Sequence, residues 1–126
     1  MKQALFLAVI AVAMTGAAAA APAAMAQPAR PQAFAKCQAC HVAAPGAKST
    51  IGPNLFDVVG RKAGSLPGFT YSPAMKAAGF AWTPQRLDAF LKAPMRDLPG
   101  TRMPFAGLSD AGERAAIVAY LKGLGK

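Results

Sequence analysis

Two cysteines and the chain's only histidine fall within five residues, Cys37-Gln38-Ala39-Cys40-His41. Two thiols three positions apart on a helical turn reach the two vinyl groups of one haem as thioethers, and the adjoining imidazole then falls under the iron as its fifth ligand. The same five residues would fix a cofactor covalently and ligate its metal. Three other chemistries use paired cysteines. A structural zinc site needs about four ligands, and Cys37, Cys40 and His41 leave that count one short. A redox-active disulfide usually opens a helix after a strand in a βαβ setting, and no convincing strand precedes Cys37. A plain structural disulfide suits an exported protein. The motif and an export signal together favour haem over all three.

With one histidine, bis-histidine ligation cannot form within the chain. Methionine sulfur is the natural sixth ligand for an electron carrier, because a Met/His pair raises the reduction potential relative to two imidazoles. Beyond the leader, Met75, Met95 and Met103 remain. Each could equally be a packing residue, and the residues alone do not choose among them.

The frame that must position these groups reads as all-α. The chain has 126 residues, room for one domain. Residues 1–26 carry Lys2, an apolar run from Ala4 to Met14 and an Ala24-Met25-Ala26 site of the small-x-small kind, the pattern of a cleaved secretory signal peptide. The apolar run is short for a membrane anchor, and its Ala-rich continuation is broken by Pro22. Residues 27–126 form the domain. Cleavage removes one base and no acid, so the formal charge falls from +9 to +8. The basic residues are spread singly, without a basic run or aromatic interleaving, which sets nucleic acid aside and points to acidic protein partners.

Within the domain, residues 31–39 predict one short helix and residues 54–59 a second, entered through Gly52-Pro53. Thr83-Pro84 is an N-cap followed by proline at the first helical position, with Leu87, Phe90 and Leu91 on one face before Pro94. The last helix begins near Ser109 or Asp110 and sets Ile117, Tyr120, Leu121 and Leu124 in one apolar stripe. Long loops remain at 42–52, 60–81 and 95–108. Loops of that length in a compact domain call for an organiser, and a large apolar cofactor would be one.

Several motifs in order, Cys37 to His41, Gly52-Pro53-Asn54-Leu55, Gly60-Arg61-Lys62, Gly68-Phe69-Thr70-Tyr71, Trp82, Pro99-Gly100-Thr101-Arg102-Met103 and Ala119-Tyr120-Leu121, resemble the class I cytochromes c of mitochondrial and bacterial c2 type. The likeness runs without a gap from Cys37 to Lys122. It implies a small all-α fold, a few short helices and long loops wrapped around one c-type haem (heme c) bound through Cys37 and Cys40, with His41 and Met103 as axial ligands. It further implies that the Pro53 carbonyl accepts a hydrogen bond from His41, that Arg61, Tyr71 and Trp82 hold the haem propionates, and that Phe105 lies near the exposed haem edge. Tyr120 and Leu121 match the face of the last helix that crosses the first.

Four positions depart from the family pattern. Arg30 replaces a glycine where the first and last helices cross, which implies a wider crossing or a shorter first helix. Met75 replaces a polar residue of the propionate network, and Phe90, which borders the same haem site, replaces a tyrosine whose hydroxyl bonds the methionine sulfur. Met95 and Arg96 replace two lysines, one of which displaces the methionine at alkaline pH in ferric members. The expected function is that of a soluble, periplasmic, monomeric one-electron carrier and not an enzyme. Its expected partners are acidic docking faces of redox proteins such as a bc1-type complex, a terminal oxidase or a dehydrogenase, met by Lys36, Lys48, Arg96 and Arg102. A fixed subunit of a larger redox complex, and a peroxidase-like haem protein lacking the methionine bond, are the alternatives.

Overall fold

In the computed structural model, residues 16, 17, 19–21 and 26–125 are described. Most of the expected signal peptide therefore lies outside the described residues. Among the described residues, five short α-helices and one 3-10 turn make up the regular structure: the turn Gln32–Phe34 runs into α1 (Ala35–Gln38), followed by α2 (Pro73–Ala77), α3 (Pro84–Lys92), α4 (Pro94–Asp97) and α5 (Ala111–Lys122). Among the described residues the extended pairing is a single isolated bridge between Lys62 and Ala81, and no helix is long and apolar enough to cross a membrane.

Three helices start on side-chain caps, each satisfying an amide that the first turn leaves without a partner. Ser72 accepts from Met75 N at 3.1 Å, Thr83 from Arg86 N at 3.1 Å and Asp110 from Glu113 N at 2.8 Å. Leu87, Phe90 and Leu91 on α3 and Ile117, Tyr120 and Leu121 on α5 are buried, as their spacing predicts. The first and last helices meet where the Phe34 and Tyr120 rings pack edge to face, with centroids 4.9 Å apart. Arg30 is exposed and stands ahead of the first helical residue, Gln32, so it lies outside the first helix.

Three expectations are corrected. Residues 54–59 form turns and not a helix. The Asn54 side chain accepts from Phe56 N at 2.9 Å, Arg61 draws off the Asn54 and Phe56 carbonyls, and Asp57 sits at φ 56°. Those bonds take the groups a helix would need. The 60–81 segment is not all loop, because Ser72-Pro73 starts α2 by the same device as Thr83-Pro84. Nor does Pro94 simply end α3: Ala93 turns extended (φ −159°, ψ 77°) and Pro94 becomes the first residue of α4, where its missing N–H costs nothing.

Candidate haem site

One cavity of about 670 Å³ lies at the centre of the fold. Its apolar wall is built from the inward faces of the helices, with Phe34, Leu87, Leu91, Ile117 and Leu121 on it. All ten residues expected at the site border this one cavity: Cys37, Cys40, His41, Pro53, Arg61, Tyr71, Trp82, Phe90, Met103 and Phe105. Of the three methionines, Met75 and Met103 border it, while Met95 is exposed on α4.

Cys37 and Cys40 are free, half-buried thiols. Burial pushes the Cys37 thiol pKa up, against a smaller downward pull from Lys36. Burial likewise lowers the His41 pKa, and the hydrogen bond to Pro53 opposes it. A neutral imidazole keeps a lone pair. Its Nδ1 lies 2.8 Å from the Pro53 carbonyl oxygen, which can only accept, so Nδ1 carries the proton and Nε2 is the nitrogen left for a metal.

The chain around His41 is densely tied. Gly52 N donates to Cys40 O at 2.7 Å and Leu55 N to Val42 O at 2.8 Å, and the Thr50 hydroxyl donates to Cys40 O at 2.8 Å. Asn54, buried, donates through Nδ2 to Ala44 O at 2.7 Å and Ala47 O at 2.9 Å. Gly52 lies flat against the imidazole: a Cβ there would stand 2.6 Å from His41 Nδ1. Only glycine leaves room for the ring.

Opposite, Trp82 is buried between Phe80 and Phe90, with ring centroids 4.9 and 5.1 Å away. The Tyr71 hydroxyl accepts from Leu66 N at 3.3 Å, and Arg61 gives three hydrogen bonds to the carbonyls of Asn54 and Phe56. Arg61 therefore borders the cavity as a charge already held in place by the backbone.

Sequence reasoning missed several contributors, Ser72 and Ile51 among them. Ser72 is buried, caps α2 and borders the cavity; the Ser-Pro pair was the signal for it. Ile51 also borders the cavity while 74% exposed, and no pattern in the sequence marked it.

Whether these residues suit a haem is a question of shape and donors. The cavity lies within the roughly 300–1,000 Å³ of small-molecule and cofactor sites, its walls are largely apolar, and it joins two thiols, one imidazole and two thioethers, Met75 and Met103. Among the described residues there is no group of three or more His, Cys, Asp or Glu that could hold a bare metal ion. The donor set fits haem and does not fit zinc.

Comparison with known proteins gives the same direction. No family model matches the chain. It is 51% identical over 82 residues to a cytochrome c of Trypanosoma brucei brucei, covering 65% of this chain and 88% of that protein. It is 47% identical over 90 residues to a cytochrome c2 of Rhodomicrobium vannielii, covering 71% and 72%. Among solved structures, cytochrome c2 from Rhodospirillum centenum superposes with a TM-score of 0.70 at 39% identity, covering 75% of this chain and 93% of that one. Cytochrome cH from Methylobacterium extorquens gives 0.66 at 43% identity, covering 71% and 90%.

Proposed function

The chain belongs to the class I cytochrome c family and is a one-electron carrier with covalently bound haem c; from that premise we propose how its own residues do the work. Cys37 and Cys40 would hold the haem as thioethers, and His41 and Met103 would ligate its iron. When bound, the haem supplies a reversible one-electron change at its iron. Pro53 orients His41 and increases its basicity by accepting the Nδ1 proton. Arg61, Tyr71 and Trp82 receive the propionates, which would be costly to bury without donors. Phe90 and Phe105, which border the cavity, would keep water from the metal's surroundings, and burial is one of the protein's levers on potential.

The convergence of both thiols, His41 and Met103 on a single apolar cavity is the observation that supports this reading. The carrier is exported to the periplasm after cleavage near Ala26, acts as a monomer, and transforms no substrate of its own. Lys36, Lys48, Arg96 and Arg102 are all exposed, and Lys36 and Arg102 border the cavity. They meet carboxylates on a bc1-type complex, an oxidase or a dehydrogenase, and such an encounter weakens as salt screens it over about 10 Å at 0.1 M.

The test is an intact-mass measurement of the exported protein followed by a redox titration with its optical spectrum. The expected result is the chain from about Gln27 plus one haem, low-spin iron in both states, and a single one-electron wave. High-spin iron that turns over peroxide would overturn the carrier assignment in favour of a peroxidase.

A further inference from the structure

The segment that carries Met103 is hydrogen-bonded to the rest of the fold at its two ends, while between them Leu98, Met103 and Phe105 are held by apolar packing on the core. At its start, Arg86 of α3 donates Nη1 to Asp97 Oδ1 at 3.0 Å and Nη2 to Oδ2 at 2.6 Å. The same guanidinium lies 4.2 Å from the centroid of the Phe80 ring. At its end, Leu108 N donates to Leu91 O at 2.9 Å. Arg114 of α5, buried, there gives Nη1 to the carbonyls of Leu108 at 2.7 Å and Ser109 at 2.8 Å, and Nε to Asp88 of α3 at 2.8 Å. Gly107, at φ 106°, presses against the Lys92 carbonyl. Between the ends, the described hydrogen bonds close within the segment: Thr101 N to Leu98 O at 3.1 Å, Met103 N to Thr101 Oγ1 at 3.4 Å and Phe105 N to Met103 O at 2.8 Å.

The two fastenings are unequal. The Leu108 end combines a backbone bond, a close glycine contact and a buried arginine. The Asp97 end has buried Pro94 and partly buried Leu98 packed beside it, but its one side-chain hydrogen-bonding tie is the ion pair, on a four-residue helix whose N-cap offers no side chain. That pair is bidentate and charge-assisted, the strong kind, and its side chains are only 29% and 18% exposed, so solvent screens it less than a surface bridge. Arg86 Nε is buried without a partner, so Asp97 and Phe80 alone orient the guanidinium. Removing either charge leaves the other poorly satisfied in a mostly buried place.

We propose that Arg86 and Asp97 are positioning residues for the methionine ligand: the pair latches the α4 end of the segment, and Met103 leaves the iron when that end opens. This rests on the reading of Met103 as sixth ligand. Through Phe80, which packs on Trp82, the latch is joined to the cavity wall as well.

The test uses ferric holoprotein and two readouts, the near-infrared iron–sulfur charge-transfer band and the affinity for added imidazole, which must displace the methionine. Arg86→Met and Asp97→Asn should each keep the band at neutral pH and raise imidazole affinity on the order of tenfold. The double variant should go no further than either single, because both remove one interaction. Leu124→Ala, at a core residue that does not border the cavity, should lower the melting temperature and leave imidazole affinity unchanged. Should Arg86→Met fail to fold, Asp97→Asn carries the same test. An intact band with wild-type imidazole affinity in the latch variants overturns the latch alone, as does an equal gain in Leu124→Ala. A wild-type protein that lacks the band, with Met103→Ala binding imidazole no more tightly, overturns the Met103 assignment and the latch with it.

Discussion

The two sides of the cavity are built on different plans. On the histidine side, residues 40–56 are held by backbone and side-chain hydrogen bonds at nearly every step, with buried Asn54 at their centre. On the methionine side, residues 98–107 bond mainly to themselves and depend on α3 and α5 at their ends. A side so heavily cross-linked can fail only by unfolding, whereas one tied at its ends can open while the rest of the protein stays folded. The difference separates two properties that one mutation elsewhere would confuse, the stability of the fold and the persistence of the proposed methionine bond.

Three measurements sharpen that contrast. The largest effect is expected from Asn54→Ala, which strips partners from the Ala44 and Ala47 carbonyls and from Phe56 N. Leaving such groups unpaired should cost about 3 kcal/mol, a fall in melting temperature of roughly 15 °C for a domain of this size, read by thermal unfolding of the holoprotein. If Arg86→Met costs as much stability as Asn54→Ala, the two sides are not distinct in the way described.

Next comes Gly52→Ala. The added methyl would stand 2.6 Å from His41 Nδ1, so the ring or the loop has to move, at about 2 kcal/mol by analogy with other overpacked sites. Unlike Asn54→Ala, it should also disturb the ferric spin state at neutral pH, because it displaces the proposed ligand itself; unaltered low-spin iron would show that the loop and not the ring gives way.

The smallest effect concerns the methionine side alone. Residues 95–103 contain no lysine, and arginine has no lone pair to give to iron. Met103 ligation should therefore persist to higher pH than in lysine-bearing relatives and yield to hydroxide. Arg96→Lys restores an amine that becomes a ligand only once deprotonated, so the competing species grows as pH rises and the bond is lost earlier. A downward shift of about one pH unit corresponds to about 1.4 kcal/mol. It is followed by the charge-transfer band and by the spin-resonance signature of the product, which should change from hydroxide to amine; an unchanged midpoint would mean that the open segment does not bring position 96 to the iron.

Much of the site was legible because its chemistry is local. Cys37, Cys40 and His41 declare themselves by spacing, and the Thr83-Pro84 and Asp110 caps mark two helices that the structure places within a residue or two of expectation. What stayed hidden depends on groups distant in sequence. Residues 54–59 have a helical entry signal, yet Arg61 and the Asn54 side chain take over their backbone groups, which no propensity reports. The Arg86–Asp97 pair spans two helices whose separation at Ala93 was not visible while Pro94 read only as a stop. The choice of Met103 came from resemblance, since Met75 also reaches the cavity and periodicity does not separate them.

The closeness of Gly52 to the imidazole has one more consequence. A carrier is quick when gaining or losing an electron requires little nuclear rearrangement, because the surroundings must suit both charge states before the electron moves. His41, wedged between the Pro53 carbonyl and a backbone with no side chain to yield, has almost no room to swing or tilt as the charge beside it changes. With His41 as the proposed iron ligand, the glycine would contribute to speed as well as to fit, by limiting how far the ring can move between the oxidised and reduced forms.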